Sequence, residues 1–162
     1  MRRSILVTLL TALLLPAAAG AEEPRRVAFL GVKLLDMSMG TTSDAERSRL
    51  AMLEDRLEAA FAAAPGYAMV DTAPVADRLD RISNIADCNG CDARLAGDLG
   101  ADLAMTGEVQ KTSNLILHIS VYLRDAETGA LVGGGSADIR GNTDESWRRG
   151  IDWLIKNRLL TE

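Results

Sequence analysis

Between residues 115 and 124 the chain alternates: Leu115, Leu117, Ile119, Val121 and Leu123 are apolar, while His118, Ser120, Tyr122 and Arg124 are polar or amphipathic. Only Ile116 breaks the pattern. A period of two places one set on each face of an extended segment, so 115–123 is predicted to be a half-buried strand with one wet side. Segments 102–109 and 130–139 read as strands on either side of it, making a meander of three. The connections carry turn chemistry, Lys-Thr-Ser-Asn at 111–114 and Asp-Ala-Glu-Thr-Gly at 125–129, where Gly129 is free to take a positive φ. The preceding segments are expected to cover one face of this meander.

Upstream, residues 26–34 are mostly apolar without alternation, which predicts a central strand covered on both faces. After a loop over 35–42, Ser43 and Glu46 have capping-box spacing. The helix they open sets Leu50, Leu53, Leu57, Ala60, Phe61 and Ala64 along one stripe, and Pro65-Gly66 ends it. A short strand follows at 67–70. Ala73-Pro74 predicts a further helix start, with Val75, Leu79, Ile82 and Ile85 on its buried side. Cys88-Asn-Gly-Cys91 interrupts it, and 92–99 reads as a short helix ended by Gly100. Past the meander, Asn142 and Glu145 are read as a second cap. The last helix, to about Leu160, is expected to bury Trp147, Ile151, Leu154, Ile155 and Leu159. The expected fold is therefore an α/β sandwich, with a mixed sheet of about five strands and helices packed on it.

The N-terminus changes the compartment. Arg2 and Arg3, an apolar run over 5–15 and Ala19-Gly20-Ala21 have the form of a cleavable export signal over residues 1–21. The apolar run is too short to span a bilayer. The remaining 22–162 is expected to form a single domain, long enough to bury a core without staples. Without Arg2 and Arg3 it carries 16 basic against 23 acidic residues, a net charge of −7. That balance argues against nucleic acid as a partner, since phosphate binding needs clustered Lys and Arg. Two cysteines in an exported chain are compatible with one disulfide.

The run Leu99-Gly-Ala-Asp-Leu-Ala-Met-Thr-Gly-Glu-Val109 resembles the LGAD-x-x-x-x-G-x-V signature of the TolB N-terminal domain and of envelope proteins of the curli-secretion and LpoB type. The strand and the Asp125, Thr128, Gly129 turn that follow are similar too, as are the first strand and the segment Tyr67-Ala-Met-Val-Asp71. The resemblance spans most of 22–162. It implies a non-catalytic periplasmic domain that touches another envelope protein. Against these families the chain is expected to lack the propeller of TolB, the lipidated cysteine of LpoB and the membrane hairpins of the curli pore. It is also similar to small secreted proteins of unassigned role associated with periplasmic quinoprotein alcohol oxidation. In physical terms the motif answers folding demands: Gly100 permits a left-handed helix end, and Gly107 a close approach to the strand.

Candidate chemistry is sparse. Cys88 and Cys91 would close a short loop, for which chain entropy supplies about 2 kcal/mol. The competing reading is a redox pair, with Cys91 near a helix start that favours its thiolate. Covalent haem attachment would need a His after Cys91, where Asp92 stands. A metal site would need two more soft ligands, and His118 is the only histidine. His118, Ser120 and Tyr122 share a strand face but are spaced at roughly 7 Å, too far for a nucleophile–base pair. They suit a contact surface instead, with His118, Tyr122 and the part-exposed Trp153 as interface anchors. Glu108, Asp125, Glu127 and Asp138 are scattered around the meander, so paired-carboxylate catalysis is not expected. Gly133-Gly134-Gly135 lies inside a strand and reads as a bulge or flexible edge, not a phosphate cradle. The sequence thus predicts no catalytic, cofactor or metal residues. It leaves three functions open: an envelope interaction module, a thiol-disulfide protein, or a binder of a small ligand between the first helix and the sheet.

Overall fold

In the computed structural model, which describes residues 23–38 and 40–161, five strands form one open mixed sheet. The signal-peptide reading of 1–21 lies outside the described residues. The elements run β1 (Arg25–Asp36), α1 (Asp44–Ala63), β2 (Tyr67–Met69), α2 (Ala76–Leu79), α3 (Cys91–Asp98), β3 (Leu103–Lys111), β4 (Ile116–Asp125), β5 (Leu131–Arg140) and α4 (Asp144–Leu154). A π-helical turn, Ile155–Leu159, extends α4. Strand order is β2-β1-β3-β4-β5. β1 is parallel to both neighbours, and the meander β3-β4-β5 is antiparallel.

The predicted alternation in β4 holds where the ladder holds. Leu117, Ile119, Val121 and Leu123 are buried on one face, the front. Leu115 is a correction: it precedes the strand, in the hairpin loop, and is 73% exposed. Along β1, Val27 and Phe29 face the front core and Ala28 and Leu30 the back, so this strand is covered on both sides.

The front is closed by α1 and α4. Leu53, Leu57 and Phe61 present the stripe expected of α1, and Trp147, Ile151 and Leu154 that of α4. Burying six such side chains stabilises the layer by roughly 1.5–3 kcal/mol each. Gly150 sets how near α4 can come, since a Cβ there would lie 2.6 Å from Ile139 Cγ2. Gly107 does the same within the sheet, under the Val32 side chain.

Covering one face was the expectation for everything before the meander, and it is corrected here. Val75, Ile85, Leu95, Ala96 and Ala101 form a separate cluster on the back, over Ala28, Leu30 and Ala104. The long helix expected from Ala73 is also corrected. A 3-10 turn (Ala73–Val75), the single turn α2 and a second 3-10 turn (Ile85–Asp87) replace it. Asn84 breaks the run by turning its side chain back onto its own backbone, where it accepts the Ala86 N–H.

Two helix ends show how the local signals act. The Ser43–Glu46 capping box is complete. At the end of α3, Gly100 takes φ +67°, while the Ala101 and Gly100 amides donate to the Ala96 and Gly97 carbonyls, a Schellman closure. The second predicted cap is corrected. Thr143, not Asn142, accepts the Ser146 N–H at the start of α4. Asn142 instead accepts from Trp147 Nε1 and Arg49 and donates to Glu46.

That asparagine joins a buried ionic knot at one end of the front core. Lys111 Nζ lies 2.9 Å from Asp36 Oδ2 and 2.8 Å from Glu46 Oε1, tying the ends of β1 and β3 to the start of α1. Burial alone would raise the Glu46 carboxyl, but donors on Lys111, Ser43 and Asn142 outweigh it and hold it at about 2.

Candidate functional site

Beyond the cluster under α3, the back of the sheet is open. β3 contributes Glu108 and Gln110 there, β4 contributes His118, Ser120 and Tyr122, and β5 contributes Ser136 and Asp138, aligned by the register of the meander. The predicted polar face is present over this half but only partly wet: Ser120 and Glu108 are buried and Gln110, His118 and Tyr122 half-buried, several of them bonded to one another. Glu108 Oε1 accepts from Tyr122 Oη and from Gln110 Nε2, each at 3.1 Å, and its Oε2 accepts from Asn84 Nδ2 at 3.3 Å. Burial, helped by the Glu108 charge and opposed by the Ser120 bond, pushes the Tyr122 phenol above its ordinary value. It acts here as a hydrogen-bond donor.

His118 Nδ1 lies 2.7 Å from Asp138 Oδ1, across the β4–β5 pair. Among the described residues no hydrogen bond joins the Ser120 hydroxyl to either of them. The imidazole and its carboxylate thus have no nucleophile aligned with them. Asp125 is occupied elsewhere. Asp125 Oδ1 accepts from the amides of Glu127 and Thr128 and from the Thr128 hydroxyl, building the β4–β5 turn. Among the described residues no three His, Cys, Asp or Glu side chains are grouped to hold a metal ion.

Cys88 and Cys91 are joined in a disulfide, with Cα atoms 5.5 Å apart. The two residues between them explain the tight closure: Asn89 (φ +55°) and Gly90 (φ +80°) are both left-handed, the conformation Asn-Gly favours in a type I′ turn. The bridge packs against the back cluster and fixes the start of α3. Next to Cys91, buried Asp92 lies 3.2 Å from Arg124 Nε, an ionic contact anchoring α3 to β4.

Trp153 is 45% exposed and Trp147 fully buried, which agrees with their sixfold spacing on one helix. Trp153 does not join His118 and Tyr122. It stands on α4 beside the outer edge of β5, in a groove bounded by residues 136–140 of the strand and by Arg149 and Gly150 of the helix. The predicted anchors thus divide between the open back and this edge. Arg149 and Arg140 were missed by sequence reasoning, although Arg149 stands four residues before Trp153 and shares its helix face. Lys111 was placed in a turn, and nothing local links it to Asp36 or Glu46.

The bulge expected at the glycine run lies one residue before it. Val132 is an extra residue between the Gly133–Leu123 and Leu131–Arg124 pairs, a bulge in the edge strand. Gly135 lets the C-terminal turn approach, since a Cβ there would meet Arg158 Cβ at 2.7 Å. The space between α1 and the sheet, the expected ligand position, is filled by Leu53, Leu57 and Phe61, with an open groove along its flank between Glu58, Ala62, Met69 and Asp71.

This arrangement is the α/β fold of the LpoB C-terminal domain. The domain from Salmonella enterica matches with TM-score 0.54 and 13% identity, over 76% of this chain and 87% of that one. The Escherichia coli domain matches with TM-score 0.51 and 13% identity, over 75% and 87%. Lipoprotein GNA1162 from Neisseria meningitidis matches with TM-score 0.50 and 19% identity, over 75% and 84%. At these identities the likeness is one of fold. The chain itself belongs to the DUF3280 family, described as "Protein of unknown function (DUF2380)", which matches residues 25–159. No curated protein matches it. Among the described residues no helix is long and apolar enough to cross a membrane.

Proposed function

We propose that this protein is a non-catalytic accessory module of the bacterial envelope that works by binding another envelope protein. Residues 1–21 would direct export and be removed, leaving 22–162 as one domain in the periplasm. The observation that carries the reading is the unfinished side of the sheet, an open polar half-face continuous with an unpaired edge strand. The ionisable groups there bond to one another instead of converging on a reacting point. The LGAD run at 99–102 supports kinship with the TolB N-terminal and curli-secretion domains as well as with LpoB. Its aspartate has a structural task, since Asp102 Oδ2 accepts the Arg26 N–H at 2.7 Å and locks β3 to β1. Similarity to small secreted proteins of quinoprotein alcohol oxidation suggests that system as the place to seek the partner.

The test is cross-linked capture from the native envelope with the full chain as bait. One stoichiometric partner is expected, and its loss on paired substitution of His118 and Tyr122 by Ala or on Trp153→Ala. Recovery of no partner at stoichiometry removes the reading. The thiol-disulfide alternative draws on the placement of Cys91 at the start of α3. A reduction potential far below that of the compartment would mark the bond as structural and dismiss that alternative.

A further inference from the structure

The outer edge of β5 is the sharpest feature of the unfinished side. The Gly141 N–H donates to the Leu115 carbonyl, so the odd-numbered residues of β5 turn their backbone groups toward β4. By the alternation of an antiparallel ladder, Ser136, Asp138 and Arg140 turn theirs outward, away from the sheet. Edges of this kind are commonly blunted by proline or covered by another segment. Here the bulge at Val132 limits the edge at one end only, and residues 133–140 remain in register with β4.

Charge decides what fits beside it. The chain is acidic overall, yet residues 140–158 hold five basic side chains against three acidic ones; Asp138, on the strand itself, faces the back, 2.7 Å from His118 Nδ1. Two of those acids are turned away and neutralised by α1: Asp144 by Arg49 at 2.7 Å, and Asp152 by Arg56 through two bonds of 2.7 Å. The third, Glu145, meets Arg149 at 3.4 Å in an exposed pair that solvent screens. Arg140 has no ion pair among the described residues, and Arg158 sits 5.5 Å above the Trp153 ring. The groove is thus a hydrogen-bonding strand edge, floored by an aromatic ring and lined with under-compensated arginines.

From this geometry we infer that β5 accepts an extended acidic segment of the partner protein as a sixth strand. Its backbone pairs with Ser136, Asp138 and Arg140. Its side chains alternate in turn, and those on the α4 side reach the Trp153 ring, where carboxylates meet Arg149 and Arg158. A second copy of this chain is disfavoured as occupant, because pairing β5 with itself would bring two sets of these arginines together. The inference rests on the envelope-binding reading and names the surface that performs it.

The experiment uses the full chain without its leader and a fluorescent peptide of about ten residues alternating valine and glutamate, with a lysine-for-glutamate control. Anisotropy is expected to show binding of the acidic peptide and at least tenfold weaker binding of the basic one. Amide exchange is expected to slow at Ser136, Asp138 and Arg140. Ser136→Pro removes an outward N–H without touching the β4 ladder and should abolish binding. Arg149→Glu, an exposed substitution that leaves the core intact, should weaken it at least tenfold. Equal binding of both peptides, no binding of the acidic one, or indifference to both variants overturns the inference. Self-association that Ser136→Pro abolishes overturns it in favour of a second copy. If envelope capture yields a partner insensitive to both variants, the binding role stands and this surface is wrong. If capture yields none while the peptide binds at β5, the reverse holds.

Discussion

The front of the sheet is closed along its length by α1 and α4, whose Leu53, Leu57, Phe61, Trp147, Ile151 and Leu154 are all excluded from solvent. The back is closed only beside β1 and the start of β3, where α3 and broken turns set Val75, Ile85 and Leu95 over Ala28, Leu30 and Ala104. Elsewhere it ends in half-buried Gln110, His118 and Tyr122 and in Glu108, a buried carboxylate held by lateral bonds from Gln110 and Tyr122. One face holds the molecule together, and the other is left free of that duty. An unfinished face on a rigid support is where binding is placed at least cost to stability.

The contrast breaks if the front tolerates loss. Phe61→Ala, which also removes a ring 4.9 Å from Tyr67, should cost about 3–5 kcal/mol in chemical denaturation. A loss below about 1 kcal/mol would mean that the two faces share the load.

Next in size is the ionic knot at the front's end. Lys111→Met keeps the bulk but leaves the Asp36 and Glu46 carboxylates buried without their cation, and should cost about 3 kcal/mol at neutral pH. The native folded Glu46 titrates at about 2, below its ordinary 4.5, so its contribution is complete above about pH 4.5 and lost as pH falls toward 2. Asp36, held down by its bonds to Ser38 and Lys111, acts in the same direction. The deficit of the variant should therefore shrink across that acid window, followed as denaturation midpoints at pH 7, 4 and 3. A deficit that grows on acidification would contradict the knot.

On the back, the largest expected effect belongs to the disulfide. Replacing Cys88 and Cys91 together by Ser should cost about 2 kcal/mol, the chain-entropy value for so short a loop. Proteolysis is expected to begin in 76–91 while the front core stays protected. Simultaneous loss of protection everywhere would show that the back cluster belongs to the same cooperative unit as the front.

What was legible in the sequence follows the same division. Strong, local signals carried over: the alternation of 117–123, the Ser43–Glu46 box, the Gly100 helix end and the stripe Leu53, Leu57, Phe61. Signals that depend on distant partners did not. Lys111 looked like a turn residue because Asp36 and Glu46 come to it only through the parallel β1–β3 pairing. Asn142 looked like a cap because its partners, Glu46 and Arg49, lie far upstream. The helix expected over 73–85 has apolar spacing but no length of uninterrupted helix former before Ser83 and Asn84, and a single turn does not sustain itself. Within the site, the wet face was readable from β4 alone. The edge groove was not, because it requires α4 to be folded back beside β5.

The smallest expected effects are the most informative about function. Tyr122→Phe removes one donor from Glu108 and leaves Gln110 and Asn84 in place, so it should cost about 1 kcal/mol. His118→Ala should cost still less. Its partner among the described residues, Asp138, is 91% exposed at the side chain, and such surface pairs contribute about 0–1 kcal/mol. The measurement is urea denaturation at pH 5 and pH 7, where a change within about 0.5 kcal/mol at both values is expected. If His118→Ala instead destabilises as much as the disulfide variant, the open half-face is part of the folding machinery. If it is silent in stability but reduces capture of the envelope partner, these side chains are retained for contact alone.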